Sequence, residues 1–238
     1  MKRALILTGR GVTDREYATL VDVLPGFGFE VDVAVRGNQQ VLGEIGIKVI
    51  PTMDVPNPKY IAVQLIEDPH PRKVCNGFDF ECDLLVLPGG AKAMEYMRQD
   101  AGILDYISWH HYIGGVIASI CHGAQLLISA GLVKGRRISG YYSIKDDINN
   151  AGGTYVDEPA VVCDRIISTA HYKNTGHWLK AILREVELSM LPGWTCCKSR
   201  HVRCLEACVV GAPDCSPLSG ECALAEREGI NSPNVVRA

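Results

Sequence analysis

The chain has 238 residues, 47% of them apolar, and a formal net charge of −3. That is enough apolar material for a substantial core, and it fits one α/β domain or one domain with an appendage. No basic face or charge run suits nucleic acid or anionic lipid, and no apolar run approaches the roughly 18 residues of a membrane span, so neither partner is expected.

The opening MKRALILTGR has too short an apolar stretch for a signal peptide and reads as a strand over residues 4–8, followed by the turn Gly9-Arg10-Gly11. The expectation is a cytoplasmic protein with reduced thiols. Thr13 or Asp14 can cap a helix to about Leu24, with Glu16 in its first turn; Pro25-Gly26 and Gly28 end it. Residues 30–35 (EVDVAV) alternate as a second strand, and 47–50 form a short strand pattern. The Pro-rich stretch 54–80 contains 60–66, which suits strand or short helix; it reads as a surface excursion near the site. Residues 83–87 (DLLVL) are a buried strand followed by Pro88-Gly89-Gly90. A helical region then runs from about Met94 to Tyr112, interrupted near Gly102.

Residues 116–131 (VIASICHGAQLLISAG) organise the rest. The β-branched run Val116, Ile117, Ile120 stops at Cys121-His122-Gly123, and a helical pattern with Leu126, Leu127 and Ala130 on one face ends at Gly131. A cysteine at such a strand-to-helix bend faces the first free N–H groups of the helix, which favour thiolate over thiol. This is the cysteine counterpart of a nucleophile elbow. Beyond it, 137–140 and 154–156 are short strands, 143–150 a helix, 161–163 with 166–169 a hairpin, and 174–189 a helix with an apolar stripe. Strands alternating with helices give a mainly parallel sheet covered on both faces, with its working site beyond the C-terminal strand ends. Loops 9–14, 88–91 and 121–123 meet there.

A thiolate nucleophile needs an orienting partner and donors for the oxyanion it creates. Cys121 supplies the sulfur. Gly89 and Gly90 let backbone N–H groups approach a ligand, and the N–H groups of Gly90 and His122 are the oxyanion candidates; an ordinary tight turn would also use two glycines. Glu16, protonated, could donate to the sulfur, although a helical Glu is usually solvated. On that reading Glu16→Ala raises the Cys121 pKa. His122 could be a general base or could point away from the sulfur. Tyr141 and Tyr142 could line the pocket or pack in the core, one of His110 and His111 could be interior, and His171 or His177 could approach the site.

These residues resemble the ThiJ/PfpI superfamily, also called the DJ-one/PfpI superfamily. The resemblance covers residues 2–188 and is carried by LVLPGG (85–90), EYMR (95–98), ASICHGAQLLISAGLVKGRR (118–137), 144–147, AGGTYVD (151–157) and HWLKAIL (177–183). It implies a flavodoxin-like three-layer sandwich of the class I glutamine-amidotransferase type, within residues 1–190. It implies Cys121 as nucleophile, His122 as its neighbouring histidine, Glu16 as the carboxyl on the sulfur, Gly90 in the oxyanion loop and Tyr141 near the site. It also implies a homodimer or higher homo-oligomer, no cofactor and a small-molecule substrate. The implied activity is hydrolysis, hydration or glyoxalase III/deglycase-type chemistry on a small carbonyl, amide or related electrophile. The alternatives are a PfpI-type peptidase, an isonitrile-hydratase-like or pathway-specific biosynthetic enzyme, a redox sensor or chaperone without turnover, and a binding protein with a dead site. The chain departs from the pattern at 169–173 (TAHYK), where an expected Arg is absent and His171 is new. It departs also in the long 54–80 excursion and in the extension 191–238.

That extension holds six of the ten cysteines. Cys196, Cys197, Cys204, Cys208, Cys215 and Cys222 lack paired C-x-x-C knuckles. Cys204 and Cys208 would share a helix face, with His201 nearby. Zinc bound by Cys196, Cys197, Cys204 and Cys208, disulfides, and a poorly ordered extension are the three readings.

Overall fold

The computed structural model describes residues 2–63 and 72–190. The cysteine-rich stretch, and with it every proposed metal ligand, lies outside the described residues. Six strands form the central sheet: β1 (Lys2–Leu7), β2 (Phe29–Ala34), β7 (Leu84–Leu87), β8 (Val116–Ile120), β11 (Val161–Cys163) and β12 (Ile166–Thr169). Their order is β11-β12-β8-β7-β1-β2. All neighbours are parallel except β11 and β12, which form the expected antiparallel hairpin. Three two-stranded sheets flank it: β3 (Val41–Leu42) with β4 (Lys48–Val49), β5 (Pro58–Val63) with β6 (Arg72–Phe78), and β9 (Arg137–Ile138) with β10 (Thr154–Tyr155).

Alternation along the strands explains the layers, because successive side chains point to opposite faces. Leu5, Leu7, Leu85, Leu87, Ile117 and Ile166 face one way, onto α2 (Ala91–Met97), α3 (Ala101–Tyr112), α4 (Ala124–Ser129) and α5 (Lys145–Asn150). Ala4, Ile6, Val86, Ala118, Ile120 and Ile167 face the other way, onto α1 (Asp14–Gly26) and α6 (Thr175–Ser189). Helix α6 buries Trp178, Leu179, Ile182 and Val186, and the Trp178 indole N–H donates to the Ile167 carbonyl at 3.1 Å. The stripe is core packing, worth about 1.5–3 kcal/mol per fully buried large side chain.

Two local expectations need correction. Thr13 stands at the N-cap of α1 but its side chain caps nothing; the Asp14 carboxylate instead accepts the Ile45 and Ile47 N–H groups at 2.9 and 2.6 Å. That contact straps the β3–β4 hairpin to the loop beside the site. The 54–80 excursion contains a hairpin, and its described base packs away from the site: Phe78 lies against Tyr106 and Trp109 near the C-terminal end of α3. That end feeds the start of β8, opposite to Cys121. The break between α2 and α3 falls at 98–100, where the Asp100 side chain accepts the Ile103 N–H and starts α3. Among the described residues no helix is long and apolar enough to cross a membrane.

Candidate active site

The order β8-β7-β1-β2 places the chain reversal between β1 and β7, where open parallel sheets leave a crevice. Loops leaving β1, β7 and β8 meet there, each bringing one part of the site. From β8 comes Cys121, with φ +58°, a left-handed conformation that costs a non-glycine residue of order 1 kcal/mol or more. Residues 121–123 form a short 3-10 turn before α4. The bend is held by the Tyr141 N–H, which donates to the Cys121 carbonyl at 3.0 Å. Gly123 lies so close to the Leu87 carbonyl that a Cβ there would overlap it.

From α1 comes Glu16, 4% exposed. One carboxylate oxygen accepts the Gly89 N–H at 2.6 Å, and the carboxyl hydrogen-bonds with the Cys121 side chain. From β7 comes the Gly89-Gly90 turn. A Cβ on Gly89 would stand 2.7 Å from the Cys121 Cβ and 2.8 Å from the Glu16 oxygen, so only glycine admits the pair. Gly90 has φ +106°, and a Cβ there would come within 2.8 Å of the Thr13 N and Val12 Cα.

Burial pushes the Glu16 carboxyl up to about 7, against the Gly89 N–H and the cysteine, which favour its charged form; the charge of Glu44 adds to the rise. Burial, then the negative charge of Glu16, push the Cys121 thiol up to about 12, while the N–H groups of His122 and Gly90 pull it down. The bend alone suggests a thiolate. In the folded chain burial and the facing carboxylate instead both raise the thiol, so the charged carboxylate disfavours the thiolate rather than supporting it. This reverses the sign expected for removing Glu16.

The His122 ring turns toward the sulfur: Nδ1 is 3.3 Å from Sγ and Nε2 is 3.3 Å from the Ser143 hydroxyl. Burial lowers its pKa, so the ring is neutral near pH 7. Tyr141 stacks beside it, with ring centroids 4.8 Å apart. Cys121, Glu16, Gly89, Gly90, His122 and Tyr141 are thus brought together. Gly89 departs from its expected role, because its N–H is taken by Glu16 and is not free for an oxyanion. His171 lies one strand over, its Nδ1 accepting the Lys173 N–H at 3.1 Å. His110 is wholly buried, its Nε2 3.1 Å from the Val116 carbonyl. Ser143 was missed, since a lone serine after two tyrosines carries no signal. No cluster of metal-ligating side chains occurs among the described residues.

The model of the DJ-1/PfpI family matches residues 2–185. The chain belongs to this family. A family member named as a deglycase, from Pyrococcus horikoshii, is 32% identical over 184 residues, which is 76% of this chain and 98% of its own length. The deglycase PfpI of Pyrococcus furiosus is 38% identical over 104 residues, 44% of this chain; the match spans only 62% of that relative. Among solved structures, a DJ-1/ThiJ/PfpI-like and ferritin-like two-domain protein of Anabaena variabilis superposes with a TM-score of 0.65 at 26% identity. It covers 79% of this chain and 48% of that one. Drosophila melanogaster DJ-1beta gives a TM-score of 0.64 at 22% identity, covering 86% of this chain and 97% of its own, and shows the shared flavodoxin-like fold.

Proposed function

We propose that the chain is a cysteine-dependent enzyme of the deglycase type, acting on a small carbonyl adduct. The observation that carries this reading is the buried Glu16–Cys121 pair, closed by a glycine that no other residue could replace. As Sγ attacks the carbonyl carbon, its proton passes to Glu16, the S–C bond forms, and the C=O π pair moves to oxygen. The Gly90 and His122 N–H groups, already directed at the sulfur, are the donors for that oxygen. The adduct's own thiol leaves as the free thiol when Sγ takes its carbon; neutral His122, oriented by Ser143, then passes that carbon's proton through an enediol to the neighbouring carbon, whose carbonyl becomes the alcohol, and water hydrolyses the resulting thioester on Cys121 to the acid. Tyr141 stacks against His122 and flanks the same turn. Names of relatives as deglycases support the same chemistry. The reading carries with it residues 1–190 as the catalytic domain, with 191–238 as an extension. A homo-oligomer and a cytoplasmic location are the matching expectations.

The test compares wild type and Cys121→Ala on the hemithioacetal of methylglyoxal, on peptide amides and on isonitriles. Wild type is expected to convert the hemithioacetal and water to lactate and free thiol, and Cys121→Ala to lose at least about 1000-fold. Equal rates in the two proteins would overturn the reading. So would wild type that turns over none of the three and instead oxidises at Cys121 under mild peroxide, which would mark a redox sensor.

A further inference from the structure

Around the loop that follows β12, the strand next to β8, stands a cationic cluster that the chemistry above does not use. Arg15 precedes Glu16 on α1, is exposed, and places its guanidinium 4.5 Å from the centroid of the Tyr172 ring. The Tyr172 ring in turn lies 4.0 Å from the His171 ring. Lys173 is exposed and follows directly. These residues leave the C-terminal end of β12, whose last residue, Thr169, pairs in register with Ile120, the residue before Cys121. Tyr172 and Tyr141 both pack against the buried cluster that contains Cys121. No ion pair to a carboxylate engages Arg15 or Lys173 among the described residues, unlike Arg36 and Arg136, which are paired with Asp100 and Asp164.

His171 adds a third donor. Its Nδ1 accepts the Lys173 N–H, which leaves Nε2–H as the outward donor of the neutral ring. Burial and the charges of Lys173 and Arg15 hold its pKa down, so it stays neutral near pH 7. The acidic groups nearby are Glu16, in the pair with Cys121, and Glu44, held on the other side of the α1 loop by its N–H bond to the Val12 carbonyl.

We infer that Arg15, Lys173 and the His171 Nε2–H form a subsite for a carboxylate on the substrate, so that the preferred carbonyl adducts are those of acids. The inference rests on the function proposed above, because it names the substrate class of that site. A guanidinium and an ammonium left without acidic partners, beside a neutral N–H donor, match a carboxylate's two oxygens. The Tyr172 face holds the guanidinium in place by cation–π attraction, which lowers the entropy lost on binding.

The experiment uses two substrates that differ only in charge: the methylglyoxal hemithioacetals of N-acetylcysteine and of N-acetylcysteine amide. Wild type is expected to show kcat/KM about tenfold higher for the acid, mainly through KM, with the preference shrinking as salt is added. In the double variant Arg15→Gln/Lys173→Gln the acid-to-amide ratio should fall to about one. A merely structural role would lower both rates and keep the ratio, and that result, or equal kcat/KM in wild type, overturns the inference. If neither adduct is turned over, the proposed function fails and a binding measurement decides the subsite. There the NMR titration of the His171 imidazole, assigned with His171→Gln, is followed with N-acetylglycine or N-acetylglycinamide. The midpoint should rise with the acid and not with the amide; an unmoved midpoint removes the subsite.

Discussion

Glu16 is where residue chemistry has the sharpest consequences. Its carboxyl titrates near 7 in the folded chain against an ordinary value of 4.5, so folding favours the protonated form. The contribution to stability is present below about 4.5 and is lost as pH rises through about 7. Glu16→Gln, which keeps an acceptor for the Gly89 N–H and adds a donor toward Sγ, removes that dependence. In urea denaturation the variant should gain on wild type between pH 4.5 and 7, by up to about 3 kcal/mol at pH 8. A parallel pair of curves would show that Glu16 is not buried as described. The same substitution removes the negative charge facing the sulfur, so the thiol's titration, followed by iodoacetamide rate, should shift down from wild type. An upward shift would mean the protonated carboxyl is the main support of the thiolate. Gly89→Ala tests the closeness of the pair: its Cβ collides with both Cys121 and Glu16. It is expected to cost about 1–3 kcal/mol in stability and about 100-fold in kcat. The cysteine and the glutamate were both legible in the sequence, one from the strand-to-helix switch and one from its place in the first turn. The sign of their coupling was not, because it depends on burial, which one-dimensional spacing does not encode.

At the scale of elements, the small hairpin β3–β4 depends on one side chain. Asp14 accepts two of its N–H groups, and although burial opposes its charge, those bonds outweigh it and hold the carboxyl below the ordinary range. Its stabilising contribution is therefore present above about 3.8 and lost as pH falls further. Asp14→Asn should lower stability at pH 7 by about 1–2 kcal/mol, and the gap to wild type should close in acid. It should also loosen the loop that carries Glu44 past the site, which hydrogen exchange at Ile45 and Ile47 would report. A variant with unchanged exchange there would show that the strap is redundant. The long strands and α6 were readable because β-branched runs and an apolar stripe persist over several residues. Of the strands of two residues, β9 and β10 were read slightly long, at 137–140 and 154–156, and β4 lies within the expected 47–50, whereas β3 shows no period to read. The helix break before α3 came from the Asp100 cap rather than from Gly102, since a glycine inside a helix is tolerated whereas a capping carboxylate starts a new one.

For the whole molecule, the parallel sheet is sealed on both faces before residue 190. One face is covered by α2 to α5 and the other by α1 and α6, and α6 is the last described element on either. Its final turn is finished locally: the buried Ser189 hydroxyl donates to the Val186 carbonyl, and the Met190 N–H donates to the Glu187 carbonyl. The loops of the candidate site all follow β1, β7 and β8, so that site is assembled from segments that end with α4 and the Tyr141 turn. A chain cut after Met190 should therefore keep its fold, its Glu16–Cys121 geometry and its turnover. Expected values are a Tm within a few degrees of the full chain and kcat/KM within about twofold, since a loss of 1 kcal/mol moves the Tm of a domain this size by only about 2–4 °C. Calorimetry of the two proteins decides the matter. A fall of ten degrees or more, or lost activity with the Glu16 titration intact, would make residues 191–238 part of the working structure rather than an extension. Zinc added to the full chain and to the shortened one separates the readings of the cysteines: a Tm raised only in the full chain places the metal within residues 191–238, and its loss in a Cys204→Ser/Cys208→Ser variant then points to the expected set of Cys196, Cys197, Cys204 and Cys208, because ligand binding to the folded state stabilises by mass action.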